Sequence, residues 1–322
     1  MLLKRLFPRS NTLTVAEEDI KILQERIQQN PNDFDAIEQY AIALSDIGEN
    51  EEALKNFVFL KSVQPDNANV YYNIGIILEK LKMNDESVAA YEKALQLEPE
   101  NTDIMFNLAN ASIKAEDYDR AENLLLAVLE KDNDDENVYF HLGEIYSRKK
   151  EFDKAINILQ KAIQINENDV IAEFYLAYSY QETGNTDKAI ELYNDIIHKN
   201  PDYSWAYYNL ASIYIAQDKD NDAMLYLEKT VKTNPADLKS VKLLTKLMFK
   251  HKKFSAAERV LKQTSQNYPE EADIYYLLAQ VHKQLKSKIN YSKYLKLAKE
   301  NEITFSGDIN SLNQEIEALD KK

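Results

Sequence analysis

Six of the seven prolines in this chain fall on one register: Pro31, Pro65, Pro99, Pro201, Pro235 and Pro269, separated by 34, 34, 102, 34 and 34 residues. The long gap is three steps of 34, and Asn133 and Glu167 stand where its two missing prolines would be. A period of this length, held along the chain, means that one supersecondary unit recurs and each copy buries its apolar face on the next. The period also explains how 322 residues fold without one large globular core.

Other positions keep the same step. A small residue recurs at Ala53, Ser87, Ala121, Ala155, Ala189, Ala223 and Ala257. Another recurs at Ala41, Gly75, Ala109, Gly143, Ala177, Ala211 and Ala279, with the larger Thr245 as its exception. A large apolar residue precedes each member of the second series, from Tyr40 and Ile74 to Leu278. Within one unit, Tyr139, Leu142, Gly143 and Tyr146 fall at i, i+3, i+4 and i+7, the spacing of one helix face. Ala155, Ile158, Leu159 and Ala162 form the inner face of a second helix. Small residues let the helices approach closely, and proline stops the second helix because it has no N–H for the ladder.

These residues carry a specific resemblance. Tyr71, Ile74, Gly75 and Leu78, followed by Ser87, Tyr91, Ala94 and Pro99, resemble the tetratricopeptide repeat, as do Tyr207, Leu210, Ala211, Tyr214, Ala223 and Pro235. The resemblance implies an all-α, right-handed superhelical α-solenoid of about eight helix–turn–helix units. The units are 34–67, 68–101, 102–135, 136–169, 170–203, 204–237, 238–271 and 272–305. A short segment 1–13 and a capping helix 14–33, opened by a Thr14–Glu17 capping box, precede them, and a capping helix 306–322 follows. In that last helix Ile309, Leu312, Ile316 and Leu319 are expected inward, with Glu315, Glu317, Asp320 and Lys321 in water. The seventh and eighth units depart most from the pattern, with Tyr291 at a small-residue position and no glycine between Leu285 and Asn290.

Composition narrows the chemistry. The formal charge of −15 repels a phosphate backbone, which argues against nucleic acid as the main partner and against an RNA-binding helical repeat. With no cysteine there is no disulfide, thiolate zinc site or cysteine nucleophile. His141, His198, His251 and His282 are scattered, and none has the spacing of a metal pair. Neither a phosphate-cradling glycine loop nor a nucleophile elbow occurs, so no enzyme and no cofactor or metal is expected. The carboxylates Asp132, Asp134, Asp135 and Glu136 lie at an inter-unit turn, where they favour the following helix N-terminus. No run approaches the roughly 18 apolar residues of a membrane helix, and a cytoplasmic protein is expected. Leu2, Leu3, Leu6 and Phe7 leave open a short amphipathic membrane contact.

In the family, the first helix of each unit lines a groove through repeat positions 2, 5, 6, 9, 12 and 13. The two-carboxylate clamp of chaperone adaptors is missing: only Lys242 supplies the required lysine at position 5, and its position 9 is Lys246. Asn73, Asn107 and Asn209 at position 6 resemble the peptide-gripping asparagine ladder of O-GlcNAc transferase repeats, although asparagine is common there in the family. Units four to six add rings at groove positions, namely Phe140, Phe174, Tyr175, Tyr178, Trp205 and Tyr208. Unit seven sets eight basic residues against Glu258, Glu270 and Glu271, with Lys239, Lys242, Lys246 and Lys250 on one face. Like charges at that spacing repel, so the row offers no evident folding benefit.

The function expected is an interaction scaffold or adaptor that binds a peptide segment or partner protein in the groove. The ligand would bring aromatic or apolar residues to units four to six and acidic residues to unit seven. The alternative is a substrate-recognition arm of a multi-subunit enzyme such as a glycosyltransferase complex, and self-association through the C-terminal units is a further possibility.

Overall fold

The computed structural model describes residues 15–131 and 135–320, with residues 15–18 and 320 described in backbone only. The Thr14–Glu17 capping box, the apolar residues Leu2, Leu3, Leu6 and Phe7, the turn residues Asp132, Asn133 and Asp134, and the side chains of Asp320 and Lys321 lie outside what is described.

Among the described residues there are eighteen α-helices, one 3-10 turn and no strand. Helix α1 (Val15–Gln29) packs on the first repeat. First helices of the repeats are α2 (Phe34–Asp46), α4 (Ala68–Lys80), α6 (Thr102–Lys114), α8 (Glu136–Arg148), α10 (Val170–Glu182), α12 (Ser204–Ala216), α14 (Leu238–Lys250) and α16 (Ala272–Gln284). Second helices are α3 (Asn50–Val63), α5 (Asn84–Leu97), α7 (Tyr118–Lys131), α9 (Phe152–Ile165), α11 (Thr186–Lys199), α13 (Asp220–Thr233), α15 (Phe254–Asn267) and α17 (Lys288–Glu300). Helix α18 (Ile309–Asp320) follows α17. The helices group into two compact units that divide after Asn166.

Local chemistry sets the helix starts. Asp33, Asn67, Asn101, Asp135, Asp169 and Asp237 each accept a backbone N–H from the first turn of the helix they precede, at 2.8–3.1 Å for the shorter contact. Such a cap satisfies one of the orphan donors of a helix N-terminus. The first helices of repeats six and eight lack it, because Tyr203 and Glu271 stand at the equivalent position.

The turn inside every repeat reverses at a residue with positive φ. Only two of these are glycines, Gly48 and Gly184; the others are Lys82, Glu116, Lys150, Asp218, Lys252 and Lys286, with φ of 55–62°. The eighth repeat therefore turns through Lys286 as its neighbours do, and a missing glycine marks no departure. Helices α7 and α9 likewise end at the common position although no proline follows them.

Small residues do what their spacing implies. Ala41, Ala109, Ala177, Ala211 and Ala279 are fully buried, and so is Thr245. A Cβ on Gly75 would lie 2.5 Å from the Tyr91 ring, and one on Gly143 would lie 2.4 Å from Leu159. In these two repeats the second helix carries its large side chain directly against the first helix backbone.

The C-terminal cap corrects two expectations. Leu312 is buried and Ile316 and Leu319 pack beside it, but Ile309 is exposed. Glu315 is turned inward, not into water: it accepts hydrogen bonds from the hydroxyls of Tyr291 and Tyr276 (3.2 Å for the latter) and from Gln280 (3.4 Å). Tyr291, at a small-residue position, packs with Leu312 of α18, and its hydroxyl donates to that carboxylate.

Candidate functional site

In the second unit, two consecutive first helices wall a cavity of about 400 Å³. From α10 come Ile171, Phe174, Tyr175 and Tyr178; from α12 come Trp205, Tyr208 and Asn209; Tyr203, in the turn before α12, completes the lining. Residues spaced by three and four share a helix face, which is why positions 2, 5, 6 and 9 converge here.

The rings are held to different degrees. Phe174 lies 5.9 Å from the fully buried Tyr193, 5.5 Å from Tyr203 and 6.0 Å from Tyr175, centroid to centroid. It is a wall fixed by its neighbours. Trp205 stands edge-on to Tyr208 at 6.5 Å yet remains 59% exposed, and Ile171 beside it is 50% exposed. Burial, and then the Glu182 carboxylate, raises the Tyr178 phenol above its usual range; burial and Asp169 do the same for Tyr203. Both hydroxyls therefore stay protonated at neutral pH. The cavity offers apolar surface with phenol donors at its wall, and an exposed indole beside it.

Of the aromatic residues singled out in the sequence, five are brought together here. Phe140 is elsewhere: it belongs to the first unit, where its ring meets His141 at 5.0 Å. Tyr203 and Ile171 were missed. The signal for Tyr203 was present, since Asp or Asn fills the cap position before six of the eight first helices and tyrosine breaks that rule.

The asparagines are partly committed. Asn73, Asn107 and Asn209 each donate to the carbonyl four residues back, at 2.9, 2.9 and 2.8 Å. Asn107 gives its second N–H to the Tyr72 hydroxyl at 2.9 Å, which leaves only its carbonyl oxygen for a ligand.

The lysine row is not a free positive strip, and the argument that it brings no folding benefit fails. Lys242 pairs with Asp273 and lies 3.7 Å from Glu271. Lys250 pairs with the buried Asp220 at 2.6 Å, where His251 also sits at 2.6 Å. Lys239 lies over the Tyr208 ring, 5.2 Å from its centroid. Asp220, Asp273 and Tyr208 come from neighbouring repeats, which a charge count inside one repeat leaves out. Lys246 is exposed and has no such partner among the described residues. Also among the described residues, no three His, Asp or Glu side chains converge as metal ligands would.

Stacked helix pairs with a 34-residue register define an all-α helical-repeat protein of the solenoid class. The model of the cytochrome c-type biogenesis protein H TPR domain matches residues 61–165, and that of the tetratricopeptide repeat matches residues 146–204 and 182–247. The chain belongs to the tetratricopeptide-repeat family.

Two solved structures share the fold. A tetratricopeptide repeat protein from Parabacteroides merdae ATCC 43184 is 16% identical over 94% of this chain and 99% of its own, with a TM-score of 0.56. The Cut9–Hcn1 hetero-tetramer of the APC/C is 15% identical over 73% of this chain and 46% of its own, with a TM-score of 0.57. YrrB, a TPR protein with an unusual peptide-binding site, is 21% identical over 58% of this chain and 96% of its own, with a TM-score of 0.48. No curated protein matches the chain in sequence.

Proposed function

We propose that this protein is a cytoplasmic interaction scaffold that holds a peptide segment or partner protein on the first helices of its repeats. The aromatic cavity between α10 and α12 takes an apolar or aromatic side chain of that ligand. The observation that carries this reading is the exposure of Trp205 at the rim of a cavity whose wall ring Phe174 is packed against Tyr193 and Tyr203. A large ring left in water is unfavourable until something covers it, and buried aromatic anchors dominate the energetics of interfaces. No helix among the described residues is long and apolar enough to cross a membrane. The acidic preference assigned to the seventh repeat now rests on Lys246, the lysine of the row without a partner among the described residues.

Trp205 is the only tryptophan of the chain, so its fluorescence reports the site directly. Peptides selected from a displayed library against the full chain should be rich in aromatic and large apolar residues. Their binding should shift Trp205 emission to the blue, and Tyr178→Ala and Trp205→Ala should each weaken it about tenfold or more. Selected peptides that bind with unmoved emission, and equally well to both variants, would show that the cavity is not the site.

A further inference from the structure

The first unit contains a cavity of a different chemistry. It measures about 520 Å³ and is walled by first helices of three consecutive repeats: Glu79 from α4, Asn110 and Lys114 from α6, and His141, Glu144 and Arg148 from α8. Its cations are already engaged. The Lys114 ammonium lies 3.2 Å from one Glu79 oxygen, and the Arg148 guanidinium lies 2.8 Å from one Glu144 oxygen.

What is left over in its walls is acceptor capacity. Glu79 Oε1, Asn110 Oδ1 and His141 Nδ1 are buried and have no hydrogen-bond partner among the described residues. Glu144 stands 3.5 Å from His141 Nδ1, at the limit of a hydrogen bond. A carboxylate oxygen and an amide carbonyl only accept, and a neutral imidazole nitrogen accepts when the proton is on the other nitrogen. Buried acceptors without a donor are costly, so Glu79 Oε1 and Asn110 Oδ1 in the walls of one cavity suit a donor, while His141 Nδ1 faces the Glu144 carboxylate and is placed to donate to it.

The charge of the unit gives the sign of that donor. Residues 1–166 hold 18 Lys and Arg against 31 Asp and Glu, a net −13, whereas residues 167–322 hold 21 against 23, a net −2. Nearly all of the excess negative charge lies in the unit with this cavity, and a field of that sign draws cations in. A guanidinium suits these acceptors better than an ammonium, because it presents five N–H groups in one plane and no acceptor.

We propose that the cavity between α4, α6 and α8 receives an arginine side chain of a partner polypeptide, with Glu79 Oε1 and Asn110 Oδ1 as its acceptors. This site is independent of the aromatic cavity: it lies in the other unit and selects charge instead of apolar surface. The two therefore stand or fall separately.

The test uses the full chain and three blocked pentapeptides of serine and glycine with a central arginine, citrulline or glutamate. Titration to millimolar concentration is followed by backbone amide resonances. The arginine peptide should shift Glu79, Asn110 and His141, and citrulline, isosteric but uncharged, should bind at least about tenfold more weakly. Glu79→Gln should weaken the arginine peptide about tenfold with the fold retained, as judged by unmoved amide resonances in the second unit. Trp205→Ala, in the other cavity, should leave these shifts as they are. Equal binding of arginine and citrulline peptides, or no shift at all, overturns the proposal. Tighter binding of the glutamate peptide also overturns it, since Lys114 and Arg148 would then be holding an anion.

Discussion

Lys242 pairs with Asp273 across the junction of the seventh and eighth repeats, on a carboxylate that also accepts the Ser306 backbone N–H at 2.8 Å and its hydroxyl at 2.6 Å. One lysine thus ties α14 to α16 and, through Ser306, to the segment that leads into α18. Lys242→Glu would set a new carboxylate against Asp273 and Glu271. The expected loss is about 1–3 kcal/mol, concentrated in α16–α18, because breaking a partly buried pair leaves the other charge unpaired. Lys246→Glu, one helical turn further on, should change stability by less than about 0.5 kcal/mol. Hydrogen exchange resolved by helix checks both, and comparable loosening in the two variants would contradict the assignment of partners. For the same reason Lys246, not Lys242, is the residue to vary when binding of acidic ligands is measured at different salt concentrations.

Tyr203 occupies a cap position and forgoes the cap. Tyr203→Ala and Tyr203→Asp both remove the ring that stands 5.5 Å from Phe174, so both should weaken ligands of the aromatic cavity to the same degree. Only the aspartate restores an acceptor for the first N–H groups of α12. Tyr203→Asp should therefore be more stable than Tyr203→Ala by about 1 kcal/mol at equal loss of affinity. Paired urea unfolding and peptide titration would reveal it; identical stabilities would mean the turn there cannot form the cap.

The fold was legible because each structural requirement is stated several times along the chain. Pro65 and Pro99 announce the junction that Asn133 and Glu167 do not, and the buried alanines leave no doubt about where helices touch. The site was legible only where it departs from that repetition. Five of the rings could be read from positions 2, 5, 6 and 9, whereas Tyr203 had to be seen as a broken capping rule. The lysine row was misread because two of its carboxylates, Asp220 and Asp273, lie in adjacent repeats about thirty residues away, beyond any count made within one helix pair. Glu315 was misplaced because helical period alone divides α18 into an apolar and a polar face. It does not reveal that Tyr276 and Tyr291 wait on the covered side with hydroxyls to satisfy.

Six lysine or acidic residues turn the chain where glycine has no steric objection. A left-handed conformation costs an L-residue roughly 1–2 kcal/mol, and glycine gives back about 0.5–1 kcal/mol of that in chain entropy. Lys82→Gly, Glu116→Gly and Lys150→Gly should thus each stabilise their own repeat by about 0.5–1 kcal/mol. Gly184→Ala should destabilise its repeat by a similar amount, since nothing lies within 4 Å of a Cβ there and only the backbone angle opposes it. In a chain whose units interact chiefly with their neighbours, the effect belongs in local hydrogen exchange more than in a global midpoint. A uniform loss of protection on Lys82→Gly would show that the lysine contributes more than its turn geometry.

Acid should loosen the C-terminal cap. Burial tends to raise the Glu315 carboxyl, but the hydrogen bond from Tyr291, the Lys283 ammonium and the bonds from Gln280 and Tyr276 outweigh it, and the folded value falls below the ordinary 4.5. Burial likewise opposes Lys242 and Ser306 at Asp273, and there too the carboxyl ends below its ordinary 3.8. Asp308, held low by Ser311 and the Asn310 N–H, acts in the same direction. A carboxyl whose folded value lies below its unfolded one adds stability that is fully present above the unfolded value and disappears as pH falls through the folded one. Protection of α18 should therefore be constant from neutrality to about pH 5 and decline below about pH 4.5, first through Glu315. Glu315→Gln keeps an acceptor for the tyrosine hydroxyls but cannot titrate, so at pH 6 its α18 should already be less protected than in the wild type. The residual decline on acidification should be shallower and begin lower, where only Asp273 and Asp308 remain to be protonated. If the variant and the wild type lose protection along the same pH curve, Glu315 is not the group that fastens the cap.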